Sequence, residues 1–378
     1  MTSDHLKIGI SCYPTYGGSG IVATELGKEL ARRGHEVHFI TYALPSRLDR
    51  FQERVFFHEV ETPEYPLFEY SPYSLALASV MAETAKNAGL DLIHAHYAIP
   101  HAASAYLAKE MIGGKLKIIT TLHGTDITLV GNQPSFLNVV KFSIERSDAV
   151  TAVSNWLAEE TSRKLGVKRE IAVISNFIDP AVFRRREDKA MRRKLAHDNQ
   201  TIMMHISNFR PVKRPEDLIK VLELVRKDAD AVLVLIGDGP MRSRVEGLCR
   251  EKRLSEQVIF LGKQFSVVEL LSLADVYLCT SEAESFGLSA LEALACGVPV
   301  VSTGAGGVPE VIEDGQEGFL IPVGGVETMA EKVLTLVKDK NLWLKMRKAG
   351  RETAEKKFNI ADIVNRYEHH YYKMLYSQ

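Results

Sequence analysis

The sequence is poor in cysteine and carries no excess of either charge. Its four cysteines, Cys12, Cys249, Cys279 and Cys296, are scattered over 378 residues with no C-x-x-C spacing, which argues against a disulfide framework and against a thiolate zinc site. A reducing, cytoplasmic setting fits that usage. Lys and Arg number 47 against 48 Asp and Glu, a formal net charge of -1, so no broad field of one sign draws in nucleic acid or an anionic membrane. Any anion must be held by a few local groups. Apolar runs such as Ala231–Ile236 fall far short of the roughly 20 residues that cross a bilayer. The start, MTSDHLKIGISCY, has Asp4 ahead of a short apolar strand, where an export signal needs a basic segment and a longer apolar one. Repeats of 20–50 residues and low-complexity tracts are also missing.

What remains is an ordinary globular composition, 46% hydrophobic and 25% charged, enough to bury a core. At about 100–200 residues per domain the length predicts two domains. Short β-branched runs alternate with helical patterns. Because the runs are apolar on both faces, they predict parallel strands covered by helices on both sides. In the first half they fall near Lys7–Cys12, Glu36–Thr41, Val55–Glu59, Leu92–His96, Lys117–Leu122, Ala149–Val153 and Ile171–Ile174. The second series is Ile202–Ser207, Ala231–Ile236, Val258–Leu261, Val276–Cys279, Val298–Ser302 and Gly318–Ile321. The class is therefore α/β, with two doubly wound, Rossmann-like sheets facing a cleft.

Between the two series Asp179-Pro-Ala-Val-Phe and RRREDKAMRRK lack strand character and place a boundary within 178–200. The domains predicted are 1–178, joined by a returning helix over 358–378, and 179–357. Glu187 and Asp188 interrupt the basic run, which reads as a solvated helix rather than a nucleic-acid patch. Pro45, Pro63, Pro66 and Pro72 mark a long excursion over the sheet edge. The aromatic helix Phe358–Leu375, with Tyr367, Tyr371 and Tyr372, either packs back on the first domain or forms a homodimer face.

In open α/β sheets ligands bind beyond the carboxyl ends of the strands, so the residues following strands carry the functional reading. After the first strand, Tyr13-Pro-Thr-Tyr-Gly17-Gly18-Ser19-Gly20 leads into an amphipathic stretch, Ile21–Arg33, whose amino end suits a phosphate or carboxylate. Gly18-x-Gly20-x-x-Ala23 loosely spells a dinucleotide fingerprint, but the second strand ends at Tyr42 without the acidic residue that holds a ribose. His94, His96 and His101 cluster after the fourth strand with no carboxylate or thiolate close in sequence to complete a metal set. Thr121-Leu-His123-Gly-Thr-Asp126 puts an imidazole and a carboxylate beyond the fifth strand.

In the second half, Asn208-Phe-Arg210-Pro-Val-Lys213-Arg214 offers three cations at a strand end, a set suited to a diphosphate. Glu284 and Glu292 form an E-x7-E pair. If both lie on one helix they are about 12 Å apart, too far for a glycosidase pair and suited to two hydroxyl-bearing parts of one ligand. Glycine turns at Gly237-Asp-Gly239 and Gly304-Ala-Gly306-Gly307-Val-Pro309-Glu310 complete the set, the latter predicted to lead into a helix.

At these residues the chain resembles the retaining GT-B glycosyltransferases of family 4, over nearly its whole length. The resemblance implies a donor, UDP-N-acetylglucosamine, an acceptor, L-malate, retention of the α configuration, no resident metal or other cofactor, and a place in bacillithiol biosynthesis. By the family pattern Gly17, Gly18, Arg210 and Lys213 hold the diphosphate, Glu292 the ribose, and Glu284 with Gly306, Gly307 and Glu310 the sugar hydroxyls. Gly237, Phe286 and Gly287 belong to the same donor site, and His123 contacts the sugar near the reacting carbon. The family usually has arginine where this chain has Asn208, and Arg210 is inferred to take over part of that role. Ser19, Tyr97, Thr121 and Arg146 are the expected acceptor contacts. Two rival readings are a sugar-nucleotide-binding protein without turnover and a dehydrogenase; a transferase with another small acceptor is a third.

Overall fold

The computed structural model of the protein describes residues 5–15, 17–48, 51–62, 70–130 and 133–376. Tyr16 of the first glycine loop, and Pro63 and Pro66 of the proline-rich excursion, lie outside the described residues. The chain divides into two compact units, Met1–Asn176 with Ile360–Gln378, and Phe177–Asn359.

In the first unit β1 (Lys7–Ser11), β2 (Glu36–Thr41), β3 (Val55–Glu59), β4 (Leu92–His96), β5 (Lys117–Leu122), β6 (Ala149–Ala152) and β7 (Ala172–Val173) form one sheet in the order β3-β2-β1-β4-β5-β6-β7. In the second, β8 (Thr201–Ile206), β9 (Ala231–Ile236), β10 (Val258–Gly262), β11 (Val276–Cys279), β12 (Val300–Thr303) and β13 (Gly318–Ile321) are ordered β10-β9-β8-β11-β12-β13. The strand pairings are parallel in both sheets. Their interiors are continuous apolar runs, as β9 shows with every residue buried, because helices cover both faces. Each strand read from the sequence is present, with ends displaced by no more than two residues.

Strand order reverses once in each sheet, between β1 and β4 and between β8 and β11. Right-handed crossovers then leave on opposite faces, so the loops following those two strands part from one another and open a place for a ligand.

Helices follow from spacing. Gly18–Arg32 buries Val22, Ala23, Leu26 and Leu30 along one stripe. It begins three residues earlier than its apolar pattern suggests. Pro215–Val225 starts on a proline with Glu216 and Asp217 in its first turn, a favoured opening because the first N–H groups need no intrahelical partner and attract negative charge. The basic run lies partly in the helix Lys189–Leu195, and several of its cations are engaged within the second unit. Arg186 pairs with Glu269 and Arg192 with Asp275, while Arg185 stacks on Trp343.

The helix Ile360–Tyr376 belongs to the first unit. Ile360, Ile363, Val364, Tyr367 and Tyr371 form its buried stripe, so its aromatics are explained without a dimer face. Arg33 Nη1 and His35 Nε2 reach Glu368 at 2.5 and 3.0 Å. The Tyr371 hydroxyl lies 2.8 Å from Nδ1 of the buried His94. Tyr371→Phe leaves that imidazole nitrogen without its partner, at a cost of about 1–3 kcal/mol. The expected result is a lower urea midpoint with unchanged far-UV circular dichroism; an unaltered midpoint would show that the hydroxyl contributes nothing to docking this helix.

Candidate active site

Each unit gathers its functional side chains at its own reversal of strand order. In the first unit β1 is followed by the helix Gly18–Arg32, with Gly17 as its N-cap and no acidic residue in the first turn. Gly17 and Gly18 are exposed, so the leading N–H groups are open to an anion. Gly20 is required by space, since a Cβ there would lie 2.4 Å from the carbonyl oxygen of Tyr13. Beyond β4, Tyr97 adopts φ 94°, a conformation costly for a bulky residue and typical of functional loops. Its amide is held by the Thr121 carbonyl at 3.0 Å, and its hydroxyl donates to Ser19 Oγ at 2.9 Å. Beyond β5, His123 packs beside Tyr97 with ring centroids 5.2 Å apart. The structure thus brings together Gly17, Gly18, Ser19, Tyr97 and His123.

Asp126 anchors this region. Its two carboxylate oxygens accept the amides of Gly124 and Ala98 at 3.0 and 3.1 Å, tying the loop after β5 to the one after β4. Burial holds its pKa up at about 6 against those amide hydrogen bonds.

Two expected acceptor residues stand elsewhere. Thr121 is the fifth residue of β5, fully buried, its hydroxyl 2.7 Å from both His94 Nε2 and Thr151 Oγ1, so it packs the sheet instead of facing a ligand. Arg146 ends the helix Pro134–Arg146 just ahead of β6, which puts it at the amino edge of the sheet. There it lies over the rings of Phe142 and Tyr106, 5.5 and 5.9 Å from their centroids. A residue that precedes a parallel strand is at the edge opposite the ligand side, and Arg146 is excluded from the site on that ground.

In the second unit four loops are knitted at the carboxyl edge. Thr280 donates to the carbonyl of Lys213 at 2.8 Å, and the Glu282 amide to that of Val212 at 2.8 Å, joining the loops after β8 and β11. The Gly307 amide donates to the Glu284 carbonyl at 2.8 Å. Added Cβ atoms would lie 1.8 Å from the Ser207 carbonyl oxygen at Gly237, and 1.9 Å from that of Glu284 at Gly306, both at positive φ. These glycines serve the close approach of loop to loop.

Within this frame Lys213 Nζ meets Glu284 Oε1 at 2.5 Å, and Ser281 Oγ donates to the same oxygen at 2.8 Å. Burial works against ionisation of Glu284, and the Lys213 ammonium with the Ser281 hydroxyl overcomes it, holding the carboxyl below the usual glutamate value. Burial likewise opposes the ammonium, and Glu284 outweighs it, leaving Lys213 above the ordinary lysine value. Both groups are therefore charged at neutral pH. Arg210 and Asn208 are exposed beside them, and Arg210 has no ion-pair partner among the described residues.

Several details differ from expectation. Arg214 is taken up by Asp217 at 2.7 Å, reducing three available cations to two. Its i,i+3 spacing was a signal in the sequence for that pairing. Glu284 lies off the helix, which starts at Leu288 after Gly287 at φ 95°, so the spacing estimate for two carboxylates on one helix does not apply. Glu292 is within it and buried. The ring of Phe286 packs edge-on against Phe358 at 5.5 Å, leaving only its backbone for a ligand. Gly306 and Gly307 lead into a single 3-10 turn, Val308–Glu310, in place of a helix. Sequence reasoning missed Ser207, which accepts the Phe209 amide at 3.2 Å and pairs with His205 Nε2 at 2.8 Å; nothing local marked it.

As for metals, His94, His96 and His101 use Nδ1 on Tyr371, His123 and Ser11, and no cluster of three metal-ligating side chains occurs among the described residues. The D-x-D spelling Asp228-Ala-Asp230 precedes β9, at the amino edge, where Asp230 accepts from Gln200 and Arg226.

Because Lys213 is what lowers the Glu284 pKa, the two should be separable by pH. In the native protein this carboxylate's contribution is present above the unfolded value and lost as pH falls through the folded one. Lys213→Met removes the main opposition to burial, the largest single influence, and leaves the Ser281 hydroxyl against it, so the folded pKa rises, the sign reverses, and the variant gains stability as pH falls from 7 to 5. The urea midpoint of Lys213→Met should rise over that interval, and Lys213→Met/Glu284→Gln should lose the effect; equal slopes in all three proteins would remove the coupling. Loss of the cation should also lower kcat/KM about 100-fold.

Comparison with known proteins bears on both units. The model for Glycosyltransferase Family 4 matches residues 16–182, and that for Glycosyl transferases group 1 matches residues 187–353. The chain is 48% identical to the N-acetyl-alpha-D-glucosaminyl L-malate synthase of Bacillus anthracis, over 98% of this chain and 97% of that one. It is 26% identical to the D-inositol 3-phosphate glycosyltransferase of Rhodococcus jostii, over 85% and 77%. Among solved structures, Anabaena Alr3699/HepE in complex with UDP and glucose superposes with a TM-score of 0.81 at 21% identity, over 97% and 99% of the two chains. The sucrose-phosphate synthase of Thermosynechococcus elongatus gives 0.84 at 21% identity, over 99% and 100%. With two parallel sheets, glycine-bound loops at each reversal and a relative of this identity along its length, the chain belongs to the family 4 glycosyltransferases of GT-B fold.

Proposed function

We propose that this protein is a retaining glycosyltransferase that moves N-acetylglucosamine from UDP-N-acetylglucosamine to the hydroxyl of L-malate, the opening step of bacillithiol assembly. The observation that carries this reading is the 48% identity, sustained over 98% of the chain, to a relative named as the synthase of that product. Arg210 and Lys213 take the diphosphate, with the leading N–H groups at Gly17 and Gly18 adding positive potential. Glu292 holds the ribose, while Glu284 and the 306–310 turn take the sugar hydroxyls. Gly237, Asn208 and the backbone at Phe286 and Gly287 complete the donor contacts. His123 serves the sugar near its reacting carbon, and Ser19 and Tyr97 face the acceptor.

The chemistry follows from charge. As the bond from C1 to the β-phosphate oxygen breaks, negative charge grows on that phosphate, and Lys213 and Arg210 stabilise it without a metal. The malate hydroxyl attacks C1 from the same face, and its proton passes to the departing phosphate. Four buried, unpaired cysteines suit a cytoplasmic reaction. No helix among the described residues is long and apolar enough to cross a membrane.

Incubation with UDP-N-acetylglucosamine and a panel of hydroxy acids should release UDP with L-malate, in the presence of a chelator as in its absence, and the product should show an α-anomeric proton. Release with a different acceptor only would replace malate. No release with any acceptor would leave a binding protein, and a covalent sugar trapped on Glu284 or Asp126 would overturn the same-face attack.

A further inference from the structure

His123 is not alone at the end of β5. His96 Nδ1 lies 2.8 Å from His123 Nε2, with the rings stacked at 5.1 Å and 24°. His94 stacks on the other side of His96 at 4.2 Å. His96 is fully buried, and its Nε2 has no hydrogen-bond partner among the described residues. Burial lowers the pKa of both imidazoles, that of His123 to about 3, so each ring carries a single proton.

One proton must lie between the paired nitrogens, which leaves two arrangements. If His123 Nε2–H donated to His96, the proton of His96 would sit on its own Nε2, an orphaned buried N–H. If His96 Nδ1–H donates instead, Nε2 is a bare lone pair and no donor is stranded. Orphaned buried N–H groups are the rarer and costlier defect. His123 does not tip this balance, because it is partly exposed and its Nδ1 is not among the buried polar atoms that lack a partner. We infer that His96 is a positioning residue that donates through Nδ1 to His123 and thereby fixes His123 as a hydrogen-bond donor through its own Nδ1. In that tautomer His123 presents an N–H to a substrate oxygen and has no lone pair there with which to take a proton. It orients the sugar or acceptor and is not the base of the reaction. The inference rests on the placement of His123 beside the substrate given above.

Nitrogen-15 spectra of histidine-labelled protein test it directly, without substrate. The resonances of His123, assigned by its loss in His123→Asn, should show Nδ1 protonated; protonation at Nε2 would overturn the inference. His96→Phe keeps a ring in the stack and removes the donor. His123 should then convert to Nε2–H or to a mixture, and kcat should fall about tenfold. His96→Asn restores an N–H near the position of Nδ1 and should recover both the tautomer and most of the rate. A folded His96→Phe with unchanged tautomer and kcat would remove His96 from this role. Should that variant fail to fold, the native spectrum still decides the tautomer and His96→Asn the rest. If the native protein released no UDP with any acceptor while His123 proved to be Nδ1–H, the proposed function would fail and the tautomer assignment would stand.

Discussion

The reversal of strand order in each parallel sheet is the constraint on which the rest depends. Crossovers on the two sides of a reversal leave by opposite faces, so the loops after the two middle strands diverge at the carboxyl edge. Gly17 to Ser19 follow β1 and Tyr97 follows β4; Asn208 to Lys213 follow β8 and Thr280 to Gly287 follow β11. The remaining groups, His123 after β5, Gly237 after β9 and Gly306 after β12, sit one strand further out. A loop that opens space for a ligand leaves few contacts to hold itself. That need is met by backbone against backbone, through Gly237 on Ser207 and Gly306 on Glu284, and by hydrogen bonds from Thr280 and Gly307. Side chains at those glycines would push the loops apart, so the glycines belong to the site although they contribute no chemical group.

Much of this was legible in the sequence because parallel strands covered on both faces write themselves as uninterrupted apolar runs. The cations after β8 and the glycines after β1, β9 and β12 were legible for the same reason, since each stands a few residues beyond such a run. Arg146 shows where the reasoning slipped: it precedes β6, and the direction of a parallel strand assigns it to the amino edge. Thr121 was misjudged although the strand was read as Lys117–Leu122: it lies inside β5, and His123 is the first residue beyond it. Glu284 left its helix because Gly287 turns the chain into the left-handed region and restarts the helix at Leu288. Such a turn is a property of one φ angle, and the run of small and apolar residues around it hides the break. The pairs Lys213 with Glu284 and His96 with His123 join residues 71 and 27 positions apart, distances at which no local pattern speaks.

Burial gives the ionisable groups of the two units opposite fates. Glu284 and Lys213 are both largely removed from water and both charged, because each is the other's partner at 2.5 Å. The imidazoles of His94, His96 and His123 form no hydrogen bond to a carboxylate among the described residues, and burial holds them neutral. A charged pair holds the Lys213 ammonium in a fixed orientation before any charge develops nearby, and the exposed Arg210 beside it supplies the net positive charge. A neutral stack suits one where direction matters more than charge: each ring has one donor and one acceptor, so fixing one proton fixes the next.

That distinction bears on where the acceptor's proton goes. Asp126 is near His123 but each of its oxygens accepts a backbone amide, which commits the carboxylate to holding the loops. Tyr97 is pushed up to about 12 by burial and its hydroxyl is donated to Ser19, so it is no base at neutral pH either. Under the proposed function, with His123 donating through Nδ1, these three side chains supply donors and orientation and none is a free base. In the proposed reaction the proton released by the attacking hydroxyl then goes to the group whose basicity rises as the bond breaks, the phosphate leaving C1. The arrangement of protons on a pair of buried histidines and the same-face mechanism of transfer are thus two sides of one argument, and each constrains the other.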